Sequence, residues 1–126
     1  MKHLPSITIK VIPHKKQRYE TCGDYYLMDG MQFRISRMNK EAEFLVALHE
    51  LVEWMLIDKK GIKIKDIDKF DIEFEKNRKK GNTDEPGDDR KAPYHKEHIF
   101  ATKIEKMMAK ELGLNWDKYD KMVCAL

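Results

Sequence analysis

Three ionisable residues, His49, Glu50 and Glu53, interrupt an apolar run in the middle of the chain. The run covers residues 44–57, in which 11 of the 14 residues are apolar and neither Gly nor Pro occurs. This pattern predicts a helix that is buried on most sides. With His49 set at 0° and about 100° per residue, Glu53 lies at about 40° and Glu50 at about 100°. The three residues therefore share one sector, and His49 and Glu53 could bind the same ion.

Burying ionisable groups costs free energy unless they are paired or bind a metal. One interpretation of the sector is therefore a metal site. The other is a core helix whose polar residues face a groove or pair with Lys or Arg. The sector alone does not decide between these two interpretations.

A second pair of histidines, His95 and His98, follows Pro93 in another segment with helical periodicity. The apolar stripe predicted for this helix consists of Phe100, Ile104, Met107, Met108 and Leu112. His98 lies at the border of that stripe and is predicted to point inward. His95 lies opposite the stripe, so it is expected to be exposed or to reach a site from its rim. The alternative is that both are ordinary surface histidines near a helix start.

Together the two clusters predict a metal site formed by His49, Glu53 and His98, with His95 as a further candidate ligand. Two imidazoles and one carboxylate are a common zinc set that leaves a position for water, and the same set suits iron(II) or another divalent metal. Glu50 beside them could take a proton from that water as the general base. The chemistry predicted is hydrolysis of an amide or another polar bond.

The periodicity along the chain predicts an α+β fold with a small sheet of three strands packed on the histidine-bearing helix. The sheet is expected to be antiparallel, with a mixed edge left open as an alternative. Residues 81–93 are rich in Gly, Pro and Asp and are expected to form a solvated acidic loop. The alternative is calcium binding by Asp84, Asp88 and Asp89, whose spacing is not that of an EF-hand loop. We expect strands at residues 6–13, 24–28 and 31–36, helices at residues 40–59, 66–79 and 94–112, and a last short helix carrying Trp116, Tyr119 and Val123.

The composition predicts a single domain covering residues 1–126. Lys and Arg number 25 against 22 Asp and Glu, an excess too small and too interspersed to predict a nucleic-acid partner. Cys22 and Cys124 make neither a disulfide framework nor a Cys-rich zinc site. The first residues contain no apolar signal segment, and no stretch is long enough to span a membrane. We therefore expect a cytoplasmic protein with no membrane partner, whose oligomeric state is left open.

The order of these elements resembles the small zincin-like metalloprotease fold. In that fold antiparallel strands precede the active-site helix and a later helix gives the third metal ligand; residues 7–57 and 94–102 carry the resemblance. It implies a metal bound by His49, a base role for Glu50, and a peptide or protein substrate. Glu53 departs from the His-Glu-x-x-His pattern, in which a second histidine stands at its position. The chain also resembles a group of small phage or prophage proteins that share the stretches at residues 44–53 and 85–89.

Two other functions remain as alternatives. One is a phage-encoded binding or host-modulating protein whose metal site is structural or vestigial. The other is an all-α nucleotide pyrophosphohydrolase, which would hold magnesium through Glu-x-x-Glu pairs such as Glu50 and Glu53. The nearest second acidic pair is Asp117 and Asp120, and the strand-rich first third of the chain argues against this second alternative.

Overall fold

The computed structural model describes residues 2–126, which form an α+β fold with a three-stranded sheet and four helices. This confirms the fold class predicted from the sequence. The strands are β1 (Ile7–Ile12), β2 (Gly23–Leu27) and β3 (Met31–Ser36), and the helices are α1 (Lys40–Lys60), α2 (Ile64–Lys76), α3 (His95–Glu111) and α4 (Trp116–Cys124).

The sheet has the strand order β1–β3–β2 and is mixed. β2 and β3 form the predicted antiparallel hairpin, with Leu27 opposite Met31. Asp29 and Gly30 both have positive φ at its turn, a conformation that Gly adopts readily and Asp tolerates. β1 runs parallel to β3, so the expectation of an antiparallel sheet holds only for the hairpin and the mixed edge is the observed arrangement.

The ends of α1 are stabilised by the residues predicted to do so. The side-chain oxygen of Asn39 accepts a hydrogen bond from the backbone N–H of Ala42 at 2.9 Å. Gly61 ends the helix with a φ of 72°, a left-handed conformation that costs other residues more. These two caps fix the start and the end of the helix that carries His49 and Glu53.

Two apolar clusters pack around α1 and flank its polar sector along the helix axis. The first includes Phe33 of β3 and Trp54 of α1, whose rings meet edge to face with centroids 5.8 Å apart. The second includes Ile35 of β3 and Leu45 of α1, both fully buried. His49 and Glu53 lie between these clusters in the sequence of α1. Their surroundings therefore exclude much of the solvent.

The buried face of α3 is not the one predicted from its apolar residues. Phe100 and Met107 are 49% and 65% exposed, and Leu112 is exposed as well. The residues of α3 that are buried are Glu97, His98, Ala101, Glu105 and Ala109. His98 and Glu105 on this face contact the polar sector of α1, whereas Ala109 packs in the second apolar cluster. Within residues 2–126 no helix is long and apolar enough to cross a membrane.

Candidate metal centre

His49 and Glu53 lie on the side of α1 that faces α3. They are one helical turn apart, and their relative exposures are 5% and 4%. The Nε2 atom of His49 lies 3.1 Å from Oε2 of Glu53. The helical spacing therefore brings the imidazole and the carboxylate together as predicted from the sequence.

His98 of α3 completes a group of three that could hold a metal ion. Its side chain is buried, and its Nδ1 lies 3.2 Å from His49 Nε2 and 3.1 Å from Glu53 Oε2. The three atoms form a nearly equilateral triangle. A proton shared in a hydrogen bond joins two of these atoms, whereas a cation near the centre of the triangle contacts all three. Ligands held about 2.0–2.2 Å from a tetrahedral zinc lie about 3.3 Å from one another, which is close to the separations found.

Further side chains hold two of these residues in place. Nδ1 of His49 lies 2.8 Å from Oε1 of Glu105, so it is assigned as the protonated nitrogen that donates to this carboxylate. The other oxygen of Glu105 accepts a hydrogen bond from the hydroxyl of Tyr119. Glu53 uses Oε1 to accept a hydrogen bond of 2.8 Å from the Tyr25 hydroxyl, which leaves Oε2 for the triangle. Carboxylate–histidine pairs of this kind orient the imidazoles of metal sites.

The second ring nitrogen of His98 faces the 81–93 loop. Its Nε2 lies 2.9 Å from Oε2 of Glu85 and 3.3 Å from Oδ1 of Asp88. Neither contact has the geometry of a hydrogen bond, so this buried nitrogen has no hydrogen-bond partner within the part of the chain that the structure describes. The loop that was expected to be solvated therefore places two of its four acidic residues, Glu85 and Asp88, against His98, while both remain partly exposed.

Electrostatic interactions in this cluster are strong. Burial alone would raise the pKa of Glu53, but hydrogen bonds and the charges of His49 and His98 lower it to about 2. Burial alone would lower the pKa of His98, but its contacts with Asp88, Glu53 and Glu85 raise it to about 12. The pKa of His49 is raised as well, because Glu105 and Glu53 outweigh the effect of burial. The carboxylates thus favour positive charge at the position of the two rings.

Glu50 lines the same cavity of about 520 Å³ as the three grouped residues and is half-buried. Burial and the nearby Glu53 raise its pKa well above the usual range of a carboxyl group. Its side chain packs against Gly23 of β2, where a Cβ atom would lie 2.8 Å from Glu50 Cγ. A glycine at this point of β2 therefore gives Glu50 the room it occupies.

His95 does not belong to the group formed by His49, Glu53 and His98. Its Nδ1 lies 2.9 Å from the backbone oxygen of Gly87, to which it donates a hydrogen bond. His95 therefore contacts the 81–93 loop from the rim of the site.

Sequence reasoning missed the residues that surround the three grouped side chains: Tyr25, Glu85, Asp88, Glu105 and Tyr119. One of them carried a usable signal, because Glu105 follows His98 by seven residues and so lies on the same helix face. The contacts of Glu85 and Asp88 depend on how an irregular loop folds back, for which periodicity gives no signal.

Comparison of the chain with protein-family models, with curated proteins and with solved structures found no match in any of the three. The interpretation of the site therefore depends on its geometry and chemistry.

Proposed function

We propose that this protein is a metal-dependent hydrolase whose ion is bound by His49, Glu53 and His98. The observation that carries the proposal is the triangle of His49 Nε2, Glu53 Oε2 and His98 Nδ1, with separations of 3.1–3.2 Å in a buried setting. The hydrogen bond from His49 Nδ1 to Glu105 supports it, because it leaves the Nε2 lone pair directed at the triangle.

Zinc is the metal that best fits this donor set, and iron(II) is the next candidate. A metal bound here would supply a Lewis acid and a more acidic water for attack on a carbonyl or similar group. Glu50 is the proposed general base. A carboxyl group with a raised pKa holds a proton more readily near neutral pH, which suits it to take one up and return it to a leaving group.

A peptide or protein is the proposed substrate class, which follows from the resemblance to zincin-like metalloproteases. The cavity of about 520 Å³ is large enough to accept a few residues of an extended chain. Tyr25, whose hydroxyl donates to Glu53, and Gly23 lie on the strand that borders this cavity. That strand and the rings of His49 and His98 would limit how a substrate approaches Glu50.

A metal-binding protein without catalytic activity is the second candidate, and the identity of Glu53 favours it. A carboxylate ligand in place of the second motif histidine adds negative charge, which makes a bound water less acidic. The pyrophosphohydrolase alternative is disfavoured, because that class is all-α and this chain has a three-stranded sheet.

The metal is tested by measuring the zinc content of protein purified without added metal, using inductively coupled plasma mass spectrometry. We expect at least one ion per chain in the wild type and in His95→Ala, and one ion fewer per chain in His49→Ala. The His95 variant is the matched control, because it removes an imidazole from the rim without touching the triangle. Wild-type protein that lacks metal and does not take up zinc in a titration would refute the proposal.

Catalysis is tested with Glu50→Gln, which keeps the size of the side chain and removes its basicity. We expect the variant to keep its zinc and its thermal stability while its cleavage of a broad peptide library falls at least 100-fold. If the wild type binds zinc but cleaves no member of the library, the non-catalytic candidate is the correct one.

A further inference from the structure

We propose that Glu85, Asp88 and Nε2 of His98 form a second cation site, so that the His98 ring bridges two metal ions. The bridging arrangement rests on the proposed function, because the first ion is the one bound by the triangle at His98 Nδ1. The second site itself is formed by different atoms and can be tested separately.

The first argument is the state of His98 Nε2. The side chain of His98 is 6% exposed, and this nitrogen has no hydrogen-bond partner within residues 2–126. Leaving a buried polar atom unpaired costs about 1–3 kcal/mol, so such an atom calls for an explanation. Two carboxylate oxygens lie 2.9 and 3.3 Å from it but off the direction of a ring N–H. A cation between the three atoms would contact all of them.

The second argument is that the loop is built to hold these oxygens in place. The backbone N–H of Glu85 donates to Oδ2 of Asp88 at 3.2 Å, and the backbone N–H of Asp88 donates to the carbonyl of Glu85 at 3.0 Å. Oδ1 of Asp88 is thereby left to face His98. Gly87 lies against the ring of His98, where a Cβ atom would come within 2.3 Å of Cγ. His95 fixes the same turn by donating to the Gly87 carbonyl.

The donor set indicates the kind of ion. One imidazole with two carboxylates suits zinc, manganese(II) or iron(II). The side chains of Glu85 and Asp88 are 45% and 46% exposed, so the ion would keep water or substrate ligands on its outer side. Binding of both ions requires both nitrogens of His98 to be unprotonated, so a charged ring loses two protons, which pass to solvent.

The experiment counts zinc ions per chain by native mass spectrometry and by calorimetric titration of the full-length protein. We expect two ions in the wild type and one in the double variant Glu85→Gln/Asp88→Asn. The matched control is Asp84→Asn/Asp89→Asn, which removes the same charge from the same loop and is expected to keep two ions. All four residues are at least partly exposed, so these variants are expected to fold.

If the wild type binds one ion and the Glu85/Asp88 variant retains it, the second site is refuted and the proposed function stands. Two ions retained in that variant would refute the second site as well. His49→Ala distinguishes the two proposals, because we expect it to retain one ion, bound at Glu85, Asp88 and His98. A wild type with one ion that is lost in the Glu85/Asp88 variant but kept in His49→Ala would support the loop site and refute the proposed function.

Discussion

His49 uses its two ring nitrogens for different tasks. Nδ1 donates to Glu105 at 2.8 Å, and Nε2 lies in the triangle with Glu53 and His98. Since Glu105 is itself held by the hydroxyl of Tyr119, the orientation of the His49 ring depends on residues of α3 and α4. A ring fixed in this way needs little reorganisation when it binds an ion.

We predict that Glu105→Gln lowers zinc affinity about 10–100-fold, the usual cost of losing a charged partner behind a metal-binding histidine. The glutamine keeps the size of the side chain and can still accept from His49, so the effect reports the lost charge. Affinity is measured by competition with a chromophoric chelator. Tyr119→Phe is the control and should have a smaller effect, because Glu105 and its charge remain. An unchanged affinity in Glu105→Gln would mean that this contact does not support the site.

Asp71 of α2 is a second buried carboxyl group with an unusual environment. It accepts hydrogen bonds from the hydroxyls of Tyr94 at 2.6 Å and Tyr19 at 3.1 Å. Burial nevertheless raises its pKa from 3.8 to about 7, against the effect of the two hydroxyls. Because the folded-state pKa is the higher one, folding favours the protonated form. The stability from this group is present below about pH 4 and is lost as the pH rises through about 7.

We predict that Asp71→Asn increases the free energy of unfolding at pH 8 and leaves it unchanged or lower at pH 4. The upper bound of the increase is about 4 kcal/mol, since each pKa unit corresponds to about 1.36 kcal/mol. Urea unfolding of the variant and the wild type, in chelator and across this pH range, gives the difference curve. Glu73→Gln, at an exposed position of the same helix, should give a flat difference. A flat curve for Asp71→Asn would show that folding does not raise the pKa of its carboxyl group.

At the scale of elements, the close contact between β2 and α1 depends on Gly23. A Cβ atom at this position would lie 2.8 Å from Cγ of Glu50 and 2.8 Å from Cγ1 of Val46. Both are near the base of their side chains, so neither can move away easily. We predict that Gly23→Ala destabilises the protein by about 1–3 kcal/mol and lowers peptide cleavage while zinc binding is kept, because Glu50 is displaced and the triangle is not.

The measurement for Gly23 is a double-mutant cycle with Val46→Ala, read by urea unfolding. Removing Cγ1 of Val46 relieves one of the three close contacts, the other two being with Glu50, so the double variant should be less destabilised than the sum of the single variants. Additive effects would place the strain elsewhere. Loss of zinc together with activity in Gly23→Ala would show that β2 positions the triangle as well as Glu50.

The elements differ in how far the sequence predicted them. The helix 40–59 and its caps were predicted closely, because Asn39 and Gly61 give local signals. The hairpin was predicted from Asp29 and Gly30 for the same reason, whereas the parallel pairing of β1 with β3 has no local signal. The apolar stripe assigned to α3 was wrong for Phe100, Met107 and Leu112, which are exposed, whereas Met108 packs against the second apolar cluster. Apolar periodicity identifies a buried face only when that face packs on apolar residues. The buried face of α3 instead carries Glu97, His98 and Glu105.

The residues of the candidate site also differ in whether a local sequence signal predicted them. Helical spacing predicted that His49 and Glu53 lie together, and the position of His98 on its helix favoured it over His95. In the structure His49, Glu53 and His98 form one group, and His95 lies outside it. The contacts of His98 with Glu85 and Asp88 could not be predicted, because they depend on the conformation of an irregular loop. Local periodicity therefore located the centre of the site but not the residues around it.

Across the whole molecule, the candidate site joins segments that are far apart in the sequence and collects negative charge. Four carboxylates contact the two imidazole rings, so they outnumber the positive charges even when both rings are protonated: Glu53, Glu85, Asp88 and Glu105. Glu50 adds a fifth carboxyl group whose raised pKa favours its neutral form. The chain as a whole carries a formal charge of +3, so this is a local excess. Like charges held close together destabilise the folded state, most of all at the buried members Glu53 and Glu105. A bound cation would neutralise them and connect α1 to α3.

We therefore predict that zinc raises the thermal unfolding temperature of chelator-treated protein. A ligand that binds only the folded state adds about 2.7 kcal/mol at a concentration 100-fold above its Kd, which corresponds to roughly 10 °C for a domain of this size. Differential scanning calorimetry with zinc and with excess chelator measures the shift. His98→Ala should show almost no shift, because it removes a ligand from both proposed sites, whereas His95→Ala should keep most of it. An equal shift in the wild type and in His98→Ala would mean that zinc binds elsewhere, and that the carboxylates are balanced by protonated histidines instead.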